Sequence, residues 1–283
     1  MFKAKLTNSK GDYISLNYNS PFIITNADGL YPSDATVNTS SIALIDGSKF
    51  NSSKVNEKQI LLEITINSEA EKNRINLYKV LKPKEKIRFD YENKLRKVFI
   101  EGIIVSVPIT HFAKKQVCTL TLKCPFPYFK EAQEIINDIS NTINMFHFPF
   151  SITENEPIPL SYLDTLATVT IENYGDIETG MIIEIYARNN VLNPKIFNYI
   201  TGEYVGVNFS MQAGDSIYID TNQGKKTIEL FREGKTTNIF NMRMKDMTWI
   251  SLNYGENTFY YEAEQGVYNM SVKISHTNLY VGV

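Results

Sequence analysis

NPKIFNYITGEYVGVNFSMQAGDSIYIDTNQGKKTIELFREGKTTNIFNMRMKDMTWISLNYGENTFYYEA, residues 193–263, is the stretch that decides the fold. Short runs of β-branched and aromatic residues alternate there with turns. The turns carry Asn193-Pro194, Thr201-Gly202-Glu203, Ala213-Gly214-Asp215, Gly224-Lys225-Lys226 and Gly255-Glu256-Asn257. Ile, Val, Tyr and Phe suit a pleated, half-buried surface, whereas Gly, Asn and Asp supply turn geometry. The alternation predicts a meander of antiparallel strands and contains nothing that reads as a reaction centre. Outward from it the pattern continues, with ATVTIEN (167–173) and MIIEIYA (181–187) upstream and VYNMSVKISH (267–276) downstream. Strands at this density predict a β-sandwich or jelly roll. No fixed period recurs, which argues against a solenoid.

Toward the N-terminus the pattern is mixed. Strands are expected at 13–18, 22–26, 60–66, 87–91, 98–107 and 116–123. ILLEITI (60–66) puts Ile60, Leu62, Ile64 and Ile66 on one face. Residues 68–81 predict a helix: Ser68 can cap, acidic residues crowd the first turn, and Pro83 stops the run. Residues 128–140 predict a second helix, because Phe129, Ala132, Ile136 and Ile139 recur at helical spacing. Residues 31–59 are polar and weakly patterned, and read as a long loop or an extended arm. Residues 143–164 are rich in Phe, Pro and Glu without periodicity, and a boundary is placed there. The expectation is a mainly β protein of two domains. Residues 1–145 form a β-rich domain with helices near 68–81 and 128–140, and residues 146–283 form a β-sandwich.

The totals agree with two domains, since 283 residues can supply two cores. The chain holds 17 Tyr and 16 Phe against one Trp, a bias that fits sheets. Net charge is −2, so bulk electrostatics predict neither nucleic-acid nor membrane affinity. Lys and Arg outnumber Asp and Glu 20 to 15 over residues 1–150, and trail them 9 to 16 over the rest. No apolar run approaches the ~20 residues that span a bilayer, and the N-terminus lacks a signal-peptide core. Cys118 and Cys124 fall on one face of an extended run, roughly 20 Å apart. They are therefore expected free and buried, as in a reducing compartment.

The search for chemistry turns up little. His111, His147 and His276 have no metal-ligand spacing, and the cysteines do not form C-x-x-C. There is no G-x-S-x-G elbow. Asp215 and Asp220 flank the run SIYI and could be paired carboxylates, but Asp at such places ordinarily accepts backbone N–H groups of a turn. Trp249 could be a sugar-stacking platform; its neighbours in WISL suit an inward-facing strand better. Lys79, Lys82, Lys84, Lys86 and Arg88 surround the turn after the first helix, where a solvated turn competes with an interface. No enzyme activity, metal or cofactor is expected.

With these landmarks placed, the chain resembles the distal tail proteins (Dit) of long-tailed phages, the siphovirus-type tail component family. FIITNADGL (22–30), ITINSEAEKNRINLYKVLKPKEKIRF (64–89) and LTLKCPFPYF (120–129) look like the family's early strand, its strand–helix–strand unit and its Pro-Tyr-Phe junction. In the last, Phe126 stands where an acidic residue is common. The C-terminal turns follow in the family's order, from IENYGD to the closing Tyr280-Val281-Gly282-Val283. The resemblance implies an N-terminal belt domain with a protruding hairpin and a C-terminal galectin-like sandwich. It implies a homohexameric ring at the virion tail tip, assembled in the bacterial host cytoplasm. One face would dock on the tail tube protein and the other on a tail-associated hub, fibre or receptor-binding protein. The channel would lie on the path of the tape measure protein and the ejected DNA, with no sequence-specific nucleic-acid contact. In this reading the 31–59 arm reaches a neighbour through Ile42, Leu44 and Ile45, while Lys82, Lys84, Lys86 and Arg88 meet an acidic rim. The competing reading is a lectin-like protein that binds cell-wall glycans, which predicts a groove with exposed aromatics.

Overall fold

The computed structural model describes residues 2–44, 46–113, 115–139, 142–144, 161–163 and 168–283. The chain divides into two compact units, Met1–Ala132 with Leu279–Val283, and Gln133–Asn278. Both are built of antiparallel strands, the mainly β fold that the sequence predicts.

The first unit holds β1 (Lys3–Asn8), β2 (Tyr13–Ser15), β3 (Phe22–Asp28), β4 (Ala35–Ser41), β5 (Ser48–Val55) and β6 (Lys58–Ile66). After α1 (Ala70–Val80) come β7 (Lys86–Glu92), β8 (Lys97–Ser106), β9 (Gln116–Cys124) and β10 (Phe129–Glu131). Seven strands run in the order β2-β1-β7-β8-β9-β6-β3. β10 joins this sheet through β8 and pairs with the returning strand Leu279–Tyr280. Alternation along β6 and β9 drives one face into the core: Ile60, Leu62 and Ile64 lie beside Cys118, Leu120 and Leu122. α1 contributes Leu77 and Val80 to the core. Its N-cap is Glu69 in a left-handed conformation rather than Ser68, whose carbonyl instead accepts from Asn73 Nδ2 at 2.6 Å.

Residues 279–283 strap this unit. Phe129 opposes Tyr280, and Lys130 opposes Leu279. The buried Lys58 ammonium donates to the carbonyls of Tyr31 and Val281. Arg96 Nη1 donates to Gly282 O at 2.6 Å, and Val283 N donates to Leu30 O at 3.1 Å. Burial lowers the Lys58 pKa, and proximity to Cys124 opposes that shift.

The expected helix at 128–140 is not formed. Of its described residues, Phe129–Glu131 form β10 and Ile135–Ile139 form β11. Phe129 enters the core of the first unit and Ile139 that of the second, while Ile136 is exposed. The four apolar residues therefore do not share one buried stripe. Backbone pairing to distant strands outweighs local spacing here.

The second unit continues through β12 (Thr142–Asn144), β13 (Ser161–Leu163), β14 (Thr168–Asn173), β15 (Met181–Ala187), β16 (Val191–Leu192), β17 (Lys195–Asn198) and β18 (Tyr204–Gly206). It ends with β19 (Ser210–Met211), β20 (Ser216–Asp220), β21 (Thr227–Arg232), β22 (Lys235–Asn238), β23 (Gly255–Glu262) and β24 (Met270–His276). A six-stranded sheet runs β11-β24-β15-β20-β21-β22, and a four-stranded sheet runs β14-β23-β17-β18. Ile183, Ile185, Ile217 and Ile274 from the first share one core with Ile171, Ile196, Val205 and Phe259 from the second. Two sheets that bury one face each against a common core make a β-sandwich.

Candidate interaction surfaces

β4 and β5 form a two-stranded hairpin in the otherwise weakly patterned 31–59 region. Every residue of both strands is exposed. The strands are held by their own ladder and by polar pairs such as Asn38 Nδ2 to Ser52 Oγ at 3.0 Å. A register shift between Asn38 and Thr39 bends the ladder. Val37, Phe50 and Val55 on its strands, and Ile42 and Leu44 at its tip, all present apolar surface to solvent. Leu44 is fully exposed and sits at φ +63°. A free-standing ribbon with exposed apolar groups is only marginally stable in water by itself. Ile45 lies outside the described residues.

The basic run separates by role. Lys82 and Lys84, on the turn between α1 and β7, and Lys86, the first residue of β7, are exposed. Arg88 is engaged within its own sheet: its Nε donates to Asp90 Oδ1 at 2.8 Å, and its guanidinium lies 3.6 Å from the centre of the Phe99 ring. The three lysines are available to an acidic partner; Arg88 is a structural pair.

The second unit presents a groove of about 590 Å³ at the edge of the four-stranded sheet. Asn193, Lys195, Tyr204, Asp246, Glu262 and Glu264 are among its walls. Asn193 Nδ2 donates to Glu264 Oε2 at 2.6 Å, and the Tyr204 hydroxyl bonds to Asp246. That bond raises the Tyr204 pKa and lowers that of Asp246. From Tyr204 a row of rings crosses the sheet. Phe197 lies 5.1 Å from Tyr204 and 4.9 Å from Tyr260, nearly parallel to the latter at 8°. Tyr199 meets Tyr260 edge-on at 6.2 Å and is mostly exposed. The register explains the row, because Phe197 stands opposite both Tyr204 and Tyr260. Tyr260 is distant in sequence from Phe197, Tyr199 and Tyr204, and only the strand register brings it beside them.

The remaining candidates have structural duties. Cys118 and Cys124 are free and buried, and burial pushes each thiol up to about 12. Thiols so held stay protonated and unreactive. Asp220 Oδ1 accepts from the backbone and side-chain nitrogens of Asn222, both at 2.8 Å. Asp215 accepts from Gln212 N at 2.7 Å and from two nitrogens of Arg232. Both are turn carboxylates. Trp249 packs partly buried against the core, stacked on Phe240 at 5.8 Å. His276 is buried on β24, His111 is exposed, and His147 lies outside the described residues. Among the described residues no group of three or more His, Cys, Asp or Glu could hold a metal ion.

Residues 174–280 match the family model of the siphovirus-type tail component, C-terminal domain. Among solved structures, the fold is similar to that of the Dit protein (gp 19.1) of phage SPP1. The likeness covers 99% of each chain at 12% identity, with a TM-score of 0.69. That protein is described as a paradigm of the hub adsorption apparatus in phages infecting Gram-positive bacteria. A chain of the phage P2 baseplate in its activated conformation with Ca is also similar, over 98% of each chain at 10% identity, with a TM-score of 0.51. No curated protein matches the sequence. The resemblance read from the turns of residues 174–280 is thus borne out, and the chain has a Dit-like fold.

Proposed function

We propose that this chain is a structural component of a phage tail tip, a non-enzymatic hub that closes into a homohexameric ring. The observation that carries the reading is the correspondence of fold with the SPP1 Dit protein over nearly the whole of both chains. The family match to residues 174–280 supports it independently. The work of such a hub is geometric. One face docks on the tail tube protein, the other holds a hub, fibre or receptor-binding protein, and the central channel passes the tape measure protein and the DNA.

Closure of a ring requires each subunit to present two complementary surfaces. The β4–β5 hairpin is suited to be one of them, with Ile42, Leu44 and Phe50 as its apolar contacts to the next subunit. Lys82, Lys84 and Lys86 suit an acidic rim on a neighbouring subunit or on the tube. Six repeated contacts give a stable ring even where each is modest. The purified chain, at high concentration or mixed with its tube protein, is expected to give six-fold rings in negative-stain images. Strict monomers under both conditions would overturn the reading.

A further inference from the structure

We infer that residues 281–283 are a latch that aims the β4–β5 hairpin, so that lifting them lets the hairpin swivel while the sheet beneath stays intact. The inference rests on the hairpin's proposed role as a contact to the next subunit, and it names what controls that contact. The hairpin does not fix its own direction. Both strands are exposed along their whole length, so no core holds them. The outgoing leg runs from the half-buried Leu30 to Ala35, and the returning leg from Val55 to the buried Lys58. The legs are tied to each other by Asn56 N donating to Asp34 O at 2.9 Å, and by Thr36 Oγ1 donating to Asn56 Oδ1 at 2.8 Å.

Where the legs meet the body of the unit, their contacts run to residues 281–283. Val283 N donates to Leu30 O at 3.1 Å. Lys58 Nζ, on the returning leg, donates to Tyr31 O on the outgoing leg and to Val281 O at 3.3 Å. One buried ammonium therefore joins both legs to the strap, and hydrogen bonds from a charged donor are the strong ones. Gly282 approaches so closely that a Cβ there would meet Leu30 O at 3.0 Å, and Tyr31 Cα and Pro32 Cδ at 3.4 Å.

The strap itself has two parts. Leu279 and Tyr280 are buried and paired in a ladder with β10. Residues 281–283 are half-buried and lie outside that ladder. The bonds above hold them, together with Arg96 Nη1 donating to Gly282 O at 2.6 Å and Val283 packed at the margin of the core. A segment held by so few contacts opens locally at a far lower free energy than the whole fold. The second part can therefore lift while the first stays paired, which gives the hairpin an aimed and a released state. Only Thr277 and Asn278 separate the strap from β24, so a load on that strand has a covalent route to the latch.

The test is a pair of electron–electron distance measurements on the full chain, dilute enough to stay monomeric. Nitroxide labels at Ser53→Cys and Lys86→Cys report the hairpin against the sheet, and labels at Lys86→Cys and Lys97→Cys report the sheet alone. Cys118 and Cys124 are buried, with thiols pushed up to about 12, so they stay unlabelled. Gly282→Val wedges the latch away from Leu30, and a chain ended after Tyr280 removes it. Each should widen the hairpin distance distribution at least twofold and leave the sheet distribution unchanged. Should the shortened chain fail to fold, Lys58→Met, which removes both bonds of the ammonium, takes its place. A hairpin distribution unchanged in either variant, one already as broad in the parent, or broadening of both label pairs together overturns the inference. None of these outcomes bears on ring formation, which microscopy reads separately.

Discussion

Arg232, at the end of β21, reaches Asp215, just before β20, with two N–H groups at 2.8 and 2.6 Å. The Asp215 side chain is 2% exposed, and the Arg232 hydrogen bonds hold its pKa below the ordinary carboxylate value. A carboxylate depressed on folding stabilises the native state above its unfolded pKa of about 4, and loses that contribution as pH falls through the lower folded value. Asp215→Asn should therefore cost about 2–3 kcal/mol at pH 7, at the low end for a buried pair because Arg232 is partly exposed. The gap to the parent should narrow in denaturant unfolding as pH falls below the unfolded pKa of about 4 and through the lower folded value. Gly29 poses a steric constraint instead. Its φ is +80°, and a Cβ there would lie 2.0 Å from the carbonyl oxygen of Gln59. Gly29→Ala is expected to lower stability by about 3 kcal/mol, measured by the same unfolding curves. Residue-scale features were legible where local pattern sufficed. Alternation alone placed Cys118 and Cys124 on the buried face of one strand. The Arg232–Asp215 pair was not legible, since it depends on which strands become neighbours.

The β4–β5 hairpin is the element whose exposure has no explanation within a single chain. Phe50→Asp with Leu44→Asp should change the unfolding free energy of the isolated chain by less than about 0.5 kcal/mol, as surface changes do. In the hub reading the same pair should abolish rings in sedimentation and in images. Loss of rings together with loss of stability would instead assign the hairpin a role in the fold. Its existence was half legible: residues 31–59 lack a core pattern, which signals an arm, but Ser, Thr and Asn runs do not announce a ladder. Residues 128–140 were misread for the converse reason. Their spacing is helical, yet Phe129 and Ile139 are claimed by two different cores, and strand pairing follows. The aromatic row was invisible because cross-strand register brings Phe197, Tyr204 and Tyr260 together.

At the scale of the whole molecule, the second unit is an insertion between β10 and the strap at 279–283. Residues 1–132 made alone lack the partner of Phe129 and the Val281 carbonyl that Lys58 engages. They should show no cooperative transition in circular-dichroism melts. Joining residue 132 to residues 279–283 through a short Asn-Gly turn should restore one, because Lys130 already stands opposite Leu279 in an antiparallel ladder. Equal melts for the two would remove the strap from the fold's requirements. The strap also has a bearing on biogenesis. A ribosome delivers β10 long before it delivers the piece that completes it, and an unpaired strand edge invites wrong partners. Order of synthesis and order of completion are thus reversed: β10 leaves the ribosome before the second unit, yet it is sealed only after that unit, by residues 279–283.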